Sequence, residues 1–337
     1  MVWPQDRGSL RVATGTVAVY VARYPRLVPS FRYVVVDVFT DSPLAGNQLA
    51  VFTDARLIPE HLLQPLALEV GFSETVFVYP PTGARQQLQS GTARASGQEN
   101  DAETAFVLPP EAGGHVRLRI FTPAHELPFA GHPCLGTAFV LAAPMQLGVI
   151  ELETLRGIVP VVLERDESGR IVFGRMTQPV PAVEALDDTA ALFAALGVMR
   201  SELPVDRYDN GAQHIFVALP TEDAVASLRP DLEALAELGG TGINCFAGSG
   251  LRWKTRMFGP AVGVDEDPAT GSAAGPLACH LARHGRIAWG DEIEISQGAE
   301  IGRPSTLFAK AEGGDGLIDR VEVGGCVVVV ARGEFRL

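Results

Sequence analysis

The residues best suited to chemistry lie in an acidic run that turns into small residues: Val264-Asp265-Glu266-Asp267-Pro268-Ala269-Thr270-Gly271-Ser272-Ala273-Ala274-Gly275. Asp267-Pro268 disfavours α geometry, and Thr270-Gly271-Ser272 lets the chain turn and cap a helix. Pro276 fits only the first turn of that helix, Leu277 and Leu281 share one face, and Gly285 is a good stop. Asp267 thus stands just before a helix N-terminus whose free N–H groups can hold an anion. A carboxylate there can move a proton while a substrate carboxylate or enolate is held. Such a turn also serves as a plain helix cap, so the run alone does not decide.

The same ingredients occur earlier. Arg119-Ile120-Phe121-Thr122-Pro123 leads to Pro128-Phe129-Ala130-Gly131-His132 and a predicted helix; Arg256-Met257-Phe258-Gly259-Pro260 leads to Pro268-Ala269-Thr270-Gly271-Ser272 and another. The matching positions lie 137 to 140 residues apart (119 to 256, 131 to 271). A repeat of that length points to two similar domains, each a mostly antiparallel sheet wrapped on one principal helix. Packed face to face, they would aim both helix N-termini into one cleft. Glu74, His132 and Asp267 would then be available for proton transfer beside a bound carboxylate. Arg119 and Arg256 are expected to pair with internal acids.

The elements that must position these residues are mostly strands. Tyr33–Phe39 and Leu49–Phe52 read as strands around a turn at Ser42–Asn47, and Pro59 opens a helix that runs to about Val70 and stops at Gly71. Ser73-Glu74-Thr75-Val76-Phe77-Val78 follows as a strand with a carboxylate at its mouth. A near-copy, Ala102-Glu103-Thr104-Ala105-Phe106-Val107, appears 29 residues later, and only one of Glu74 and Glu103 can occupy a given site. Residues 80–101 between them are polar and read as an insertion. Further helices are predicted at about 133–143, 187–196 and 228–238, with strands filling most of the remainder. The order is not a regular βαβ alternation, so the fold class is α+β. Residues 32–190 and 191–337 form the two domains, and residues 1–31 are set aside as a poorly ordered extension.

At 337 residues, with 47% hydrophobic and 20% charged residues, the composition is that of a globular protein with a full core. A net charge of −13 argues against nucleic-acid and anionic-membrane partners. The apolar stretch Val12–Ala22 is flanked by arginines, lacks a cleavage-like site, and is too short to span a bilayer. The four cysteines (Cys134, Cys245, Cys279, Cys326) are scattered and read as reduced thiols, which suits a cytoplasmic protein. His280 and His284 lie four apart on the last helix; without a third ligand they are a weak metal signal, and a solvated face is expected.

Five motifs in order carry a resemblance: VVVDVFTDSPLAGN at 34–47, GFSETVFV at 71–78, RIFTPAHELPFAGHPCLGTA at 119–138, RMFGPAVGVDEDPATGSAAG at 256–275 and SQGAEIGRPS at 296–305. Over nearly the whole chain from about residue 32, the sequence resembles the PhzF-type phenazine biosynthesis isomerases, which share the diaminopimelate epimerase-like fold. The resemblance implies a pseudosymmetric, two-domain homodimer with no metal or organic cofactor, acting on a small carboxylated, dihydro-hydroxyanthranilate-like substrate. It implies that the SET glutamate, Glu74, is the general base and acid, that His132 and Asp267 assist, and that Gly131, Gly271 and Ser272 bind the substrate. Glu74 is preferred over Glu103 because it alone follows a helix, Gly71 and Ser73. The family's Gly-Asn-Pro turn reads Gly46-Asn47-Gln48 here.

Two other functions fit the same fold. An amino-acid racemase or epimerase would use paired thiols, and Cys134 invites that reading, although the second half offers Ser272, Ala273 and Ala274 with no cysteine. A non-catalytic carboxylate-binding protein would keep the cleft and lose the proton chemistry.

Overall fold

The β-branched run before Asp37 forms the first strand, β1 (Ser30–Val38), in a computed structural model that describes residues 29–82, 114–314 and 316–337. Phe31 is buried within it, so Ser30 and Phe31, inside the stretch set aside as an extension, belong to the sheet; residues 1–28 lie outside the described residues. Residues 83–113, with Glu103 and most of the insertion, lie outside the described residues.

The first half continues with β2 (Asn47–Phe52), α1 (Glu60–Val70), β3 (Glu74–Tyr79), β4 (Val116–Phe121), β5 (Glu126–Leu127), α2 (Gly131–Met145), β6 (Val149–Thr154), β7 (Gly157–Arg165) and β8 (Ile171–Gln178). Then come β9 (Ala182–Ala185), α3 (Ala190–Leu196), β10 (Asp206–Asp209), β11 (Gln213–Ala218), α4 (Glu222–Ala226), α5 (Leu232–Glu237), β12 (Gly242–Ser249), β13 (Arg252–Gly259) and β14 (Val264–Asp267). The chain finishes with α6 (Gly271–Arg283), β15 (Glu292–Gln297), β16 (Ser305–Gly314), β17 (Leu317–Gly325) and β18 (Val327–Arg336).

The pairings of the two halves match strand for strand. β1 is antiparallel to β2, β2 parallel to β3, β3 antiparallel to β4, β4 parallel to β6, and β6–β7–β8 antiparallel. Strands numbered nine higher repeat this: β10–β11 antiparallel, β11–β12 parallel, β12–β13 antiparallel, β13–β15 parallel, β15–β16–β17 antiparallel. The sheets join where β8 pairs with β17. Each half receives its outer strand from the end of the other: β9 pairs with β10, and β18 returns to pair with β1. This is the pseudosymmetric α+β architecture expected from the repeat.

Each sheet wraps one principal helix. α2 (GHPCLGTAFVLAAPM) carries no charged residue and is buried through most of its length, as a helix apolar on all sides must be. α6 is buried from Gly271 to Ala282. At Gly71, φ of 70° ends α1 and its N–H bonds Ala67, which aims the following strand at its carboxylate-bearing mouth.

Two local expectations are corrected. The helix predicted over 228–238 is confined to α5, whose start Asp231 caps by accepting from the N–H of Ala234, and an unpredicted helix, α4, precedes it, capped by Thr221, which accepts from the N–H of Ala224. The acids before the last helix are a strand, β14, antiparallel to β13, rather than a turn.

Candidate active site

The two principal helices meet end to end at their N-termini. A Cβ on Gly131 would lie 2.5 Å from the Gly271 carbonyl carbon, and one on Gly271 would lie 2.9 Å from the His132 nitrogen, so both positions require the bare backbone. Neither start has a capping side chain, leaving first-turn N–H groups available to an anion. Around this junction lies a cavity of about 260 Å³, lined by Glu74, His132, His214, Asp267, Gly271 and Ser272 among others. A larger hollow of about 550 Å³ lies beside β1 and the C-terminal end of α2. Its acid, Asp54, is paired with Arg56, so it offers no comparable proton-transfer set.

Glu74 opens β3 opposite Leu49 of the parallel strand β2 and lines the cavity. Its Oε2 lies 3.4 Å from His132 Nε2, and both atoms are buried with no hydrogen-bond partner. Burial raises the Glu74 carboxyl from 4.5 to about 7 against a hydrogen bond from Ser73. Burial lowers His132 to about 4, opposed by the Asp267 charge and a hydrogen bond to the Gln48 backbone. At neutral pH a neutral imidazole therefore faces a carboxyl near its midpoint, the condition for giving and taking a proton with equal ease.

Asp267 is held differently. Its Oδ1 accepts from Asn47 Nδ2 at 2.8 Å and its Oδ2 from Thr270 Oγ1 at 2.6 Å. Burial, then the Glu74 charge, raise it to about 6 against those bonds and His132. With both oxygens occupied, Asp267 is the fixed charge of the cluster, whereas Glu74 keeps a free oxygen.

Asn47 was read only as a turn residue, yet it joins the halves: it also donates to the Ala269 carbonyl at 2.9 Å and accepts from Ser73 Oγ at 3.0 Å. The turn before it is held by Arg303, which donates to Asp37 at 2.6 Å and to the Gly46 carbonyl at 2.9 Å. Gln297 performs the same service for the second helix, accepting from Thr270 N at 3.1 Å and donating to the Asp267 carbonyl at 2.8 Å. Arg119 pairs with Glu60 and Glu126, and Arg256 with Glu266, as expected.

His214 was missed altogether, since nothing in its strand sequence marks it. Asn244 Nδ2 donates to the carbonyls of Ile215 and Gly242 at 3.3 and 3.2 Å, which identifies it as the amide nitrogen. It also lies 3.3 Å from His214 Nδ1. His214 Nε2 and Ser272 Oγ share a hydrogen bond of 2.9 Å at the cavity wall. Burial pushes His214 down to about 4, which keeps it neutral.

Cys134 is fully buried, and burial pushes its thiol up to about 12, so it is a packing residue rather than a racemase acid or base.

The sequence matches the family profile described as "Phenazine biosynthesis-like protein" over residues 36–95 and 86–333. The chain belongs to this PhzC-PhzF family. It is 46% identical over 306 residues to the trans-2,3-dihydro-3-hydroxyanthranilate isomerase of Pseudomonas fluorescens, covering 91% of this chain and 99% of that protein. Relatives of such identity and coverage place the protein among the isomerases. A PhzF-family phenazine biosynthesis protein from Bacillus anthracis shares the fold at a TM-score of 0.72 and 22% identity, covering 92% of this chain and all of that one. A hydroxyproline epimerase from Agrobacterium vitis shares it at 0.59 and 12% identity, over 91% and 93% of the chains. The PhzC-PhzF chain thus carries the epimerase-like fold, and no helix among its described residues is long and apolar enough to cross a membrane.

Proposed function

We propose that this isomerase shifts a proton between carbons of trans-2,3-dihydro-3-hydroxyanthranilate or a closely similar carboxylated cyclohexadiene. Glu74 is the proton carrier. Its carboxylate takes a proton from one ring carbon, the electron pair spreads over the conjugated ring, and the Glu74 acid returns the proton to another carbon. Atoms and charge balance without a co-reactant. The observation that carries this reading is the Glu74 Oε2 to His132 Nε2 approach of 3.4 Å, between two buried atoms with no other partner, at the wall of the cavity. His132 polarises the carboxyl, and Asp267, with both oxygens bonded, fixes Asn47 and the local charge. The N–H groups at Gly131 and Gly271, with the Ser272 hydroxyl, hold the substrate carboxylate. The relatives' substrate, a small carboxylated ring, suits a cavity of about 260 Å³.

The test is deuterium uptake by NMR in deuterated buffer, with wild type, Glu74→Gln and Glu103→Gln. Uptake and turnover lost only in Glu74→Gln support the assignment; full activity in that variant refutes it. The same reading takes the enzyme to be a cytoplasmic homodimer with two such domains per chain, in keeping with four unpaired cysteines; light scattering that finds a monomer would remove the dimer from it.

A further inference from the structure

His280 and His284 were expected on a solvated helix face for want of a third ligand; the fold supplies one, buries His280 and leaves His284 half-buried. Asp206, on β10, meets the C-terminal end of α6. Its Oδ2 lies 3.4 Å from His280 Nδ1 and 2.8 Å from His284 Nε2, and one donor atom from each of the three lies within 4.8 Å of the others. A tetrahedral zinc with ligands at about 2.0–2.1 Å needs donors roughly 3.3 Å apart, so small side-chain movements suffice.

The three residues are also preorganised. The His280 ring is completely buried, stacked on Phe216 with centroids 5.6 Å apart and met edge-on by Phe246 and Tyr208, which hold it in place. Asp206 is 4% exposed, and among the described residues its ion pairs are with these two histidines alone. The nearby guanidinium of Arg283 reaches the Tyr208 hydroxyl at 3.4 Å. The last carbonyls of α6 add negative potential at the same spot. His284, about one-fifth exposed, leaves a route to solvent.

We propose that Asp206, His280 and His284 form a zinc site, with Asp206 Oδ2, His280 Nδ1 and His284 Nε2 as ligands and water in the fourth position. The role is structural. Ser272 at the other end of α6 is eight residues from His280, about 12 Å along the helix, so the ion pins the helix to β10 away from the proton-transfer cavity.

The experiment is titration of chelator-treated full-length protein with Zn²⁺ by calorimetry, repeated with Co²⁺ to read its visible d–d bands. Wild type should bind one ion per chain, give the bands of four-coordinate cobalt and unfold at higher temperature with zinc. His284→Gln, at the partly exposed ligand, should fold normally and lose about 100-fold or more in affinity; Asp206→Asn should lose the cobalt bands as well. No saturable uptake, or uptake equal in wild type and His284→Gln, overturns the site. The readouts use no substrate, so they stand or fall apart from the proton-transfer reading.

Discussion

Glu74→Gln should make the protein more stable as well as inactive, and the gain should appear only as pH rises. The Glu74 carboxyl is raised from 4.5 to about 7 by burial, so the folded state prefers it protonated. A group raised in this way contributes its stability below the unfolded value and loses it as pH climbs through the folded one. At about 1.36 kcal/mol per pKa unit the full span is worth roughly 3 kcal/mol, of which about 2.5 kcal/mol falls between pH 5 and 8.5. These are upper bounds, since Glu74 is 15% exposed and shares its field with Asp267. Glutamine keeps the shape and does not titrate. Urea unfolding of both proteins from pH 5 to 8.5 should therefore show similar stability at the acid end and a variant gaining about 1 to 2.5 kcal/mol at the alkaline end. A difference constant with pH would refute the argument, because the carboxyl would then carry no burial penalty.

Other consequences follow from the same geometry. Because Glu74 must be ionised to take a proton, kcat/KM should rise with pH to a plateau through an acid limb near 7; a limb near 4.5 would mean the carboxylate is not desolvated. His214→Ala and Ser272→Ala should each raise KM by about 10- to 100-fold, and the double variant little further, since one acts through the other; fully additive losses in a double-mutant cycle would separate them. Gly271→Ala should lower stability by about 1–3 kcal/mol and cripple turnover, because the new methyl meets the His132 nitrogen and the Phe39 ring; an unchanged urea midpoint would show that the helix ends are free to part.

What the sequence made legible was local. Gly71 followed by Ser73-Glu74 announced a strand with an acid at its mouth, and the Pro-x-x-Gly pattern before His132 and Ser272 announced two helix starts. These depend on neighbours along the chain, which backbone preferences report directly. Functions set across the chain were hidden. Asn47 looks like any turn asparagine until it reaches Asp267, 220 residues on. His280 and His284 looked solvated because Asp206, 78 residues before His284, belongs to a short strand with no distinctive pattern. His214 sits in an ordinary apolar strand and matters only through Asn244 and Ser272. β14 was not announced because three of its four residues are acids, which disfavour strands; its pairing with β13 overrides that preference.

The return of β18 to β1 has a bearing on how the chain is made. β8 ends at Gln178 and β18 begins at Val327, so the first half emerges from the ribosome 149 residues ahead of its own outer strand. At about 5–20 residues per second the wait is on the order of 10–30 s, during which the β1 edge stands open. Folding in order of synthesis can complete the second half first, since β9 precedes β10 and all its strands are made by Gly325. The half that carries Glu74 is then closed last, by the final ten-residue strand, and a ribosome stalled just short of it would leave an unpaired edge next to a nearly finished active site.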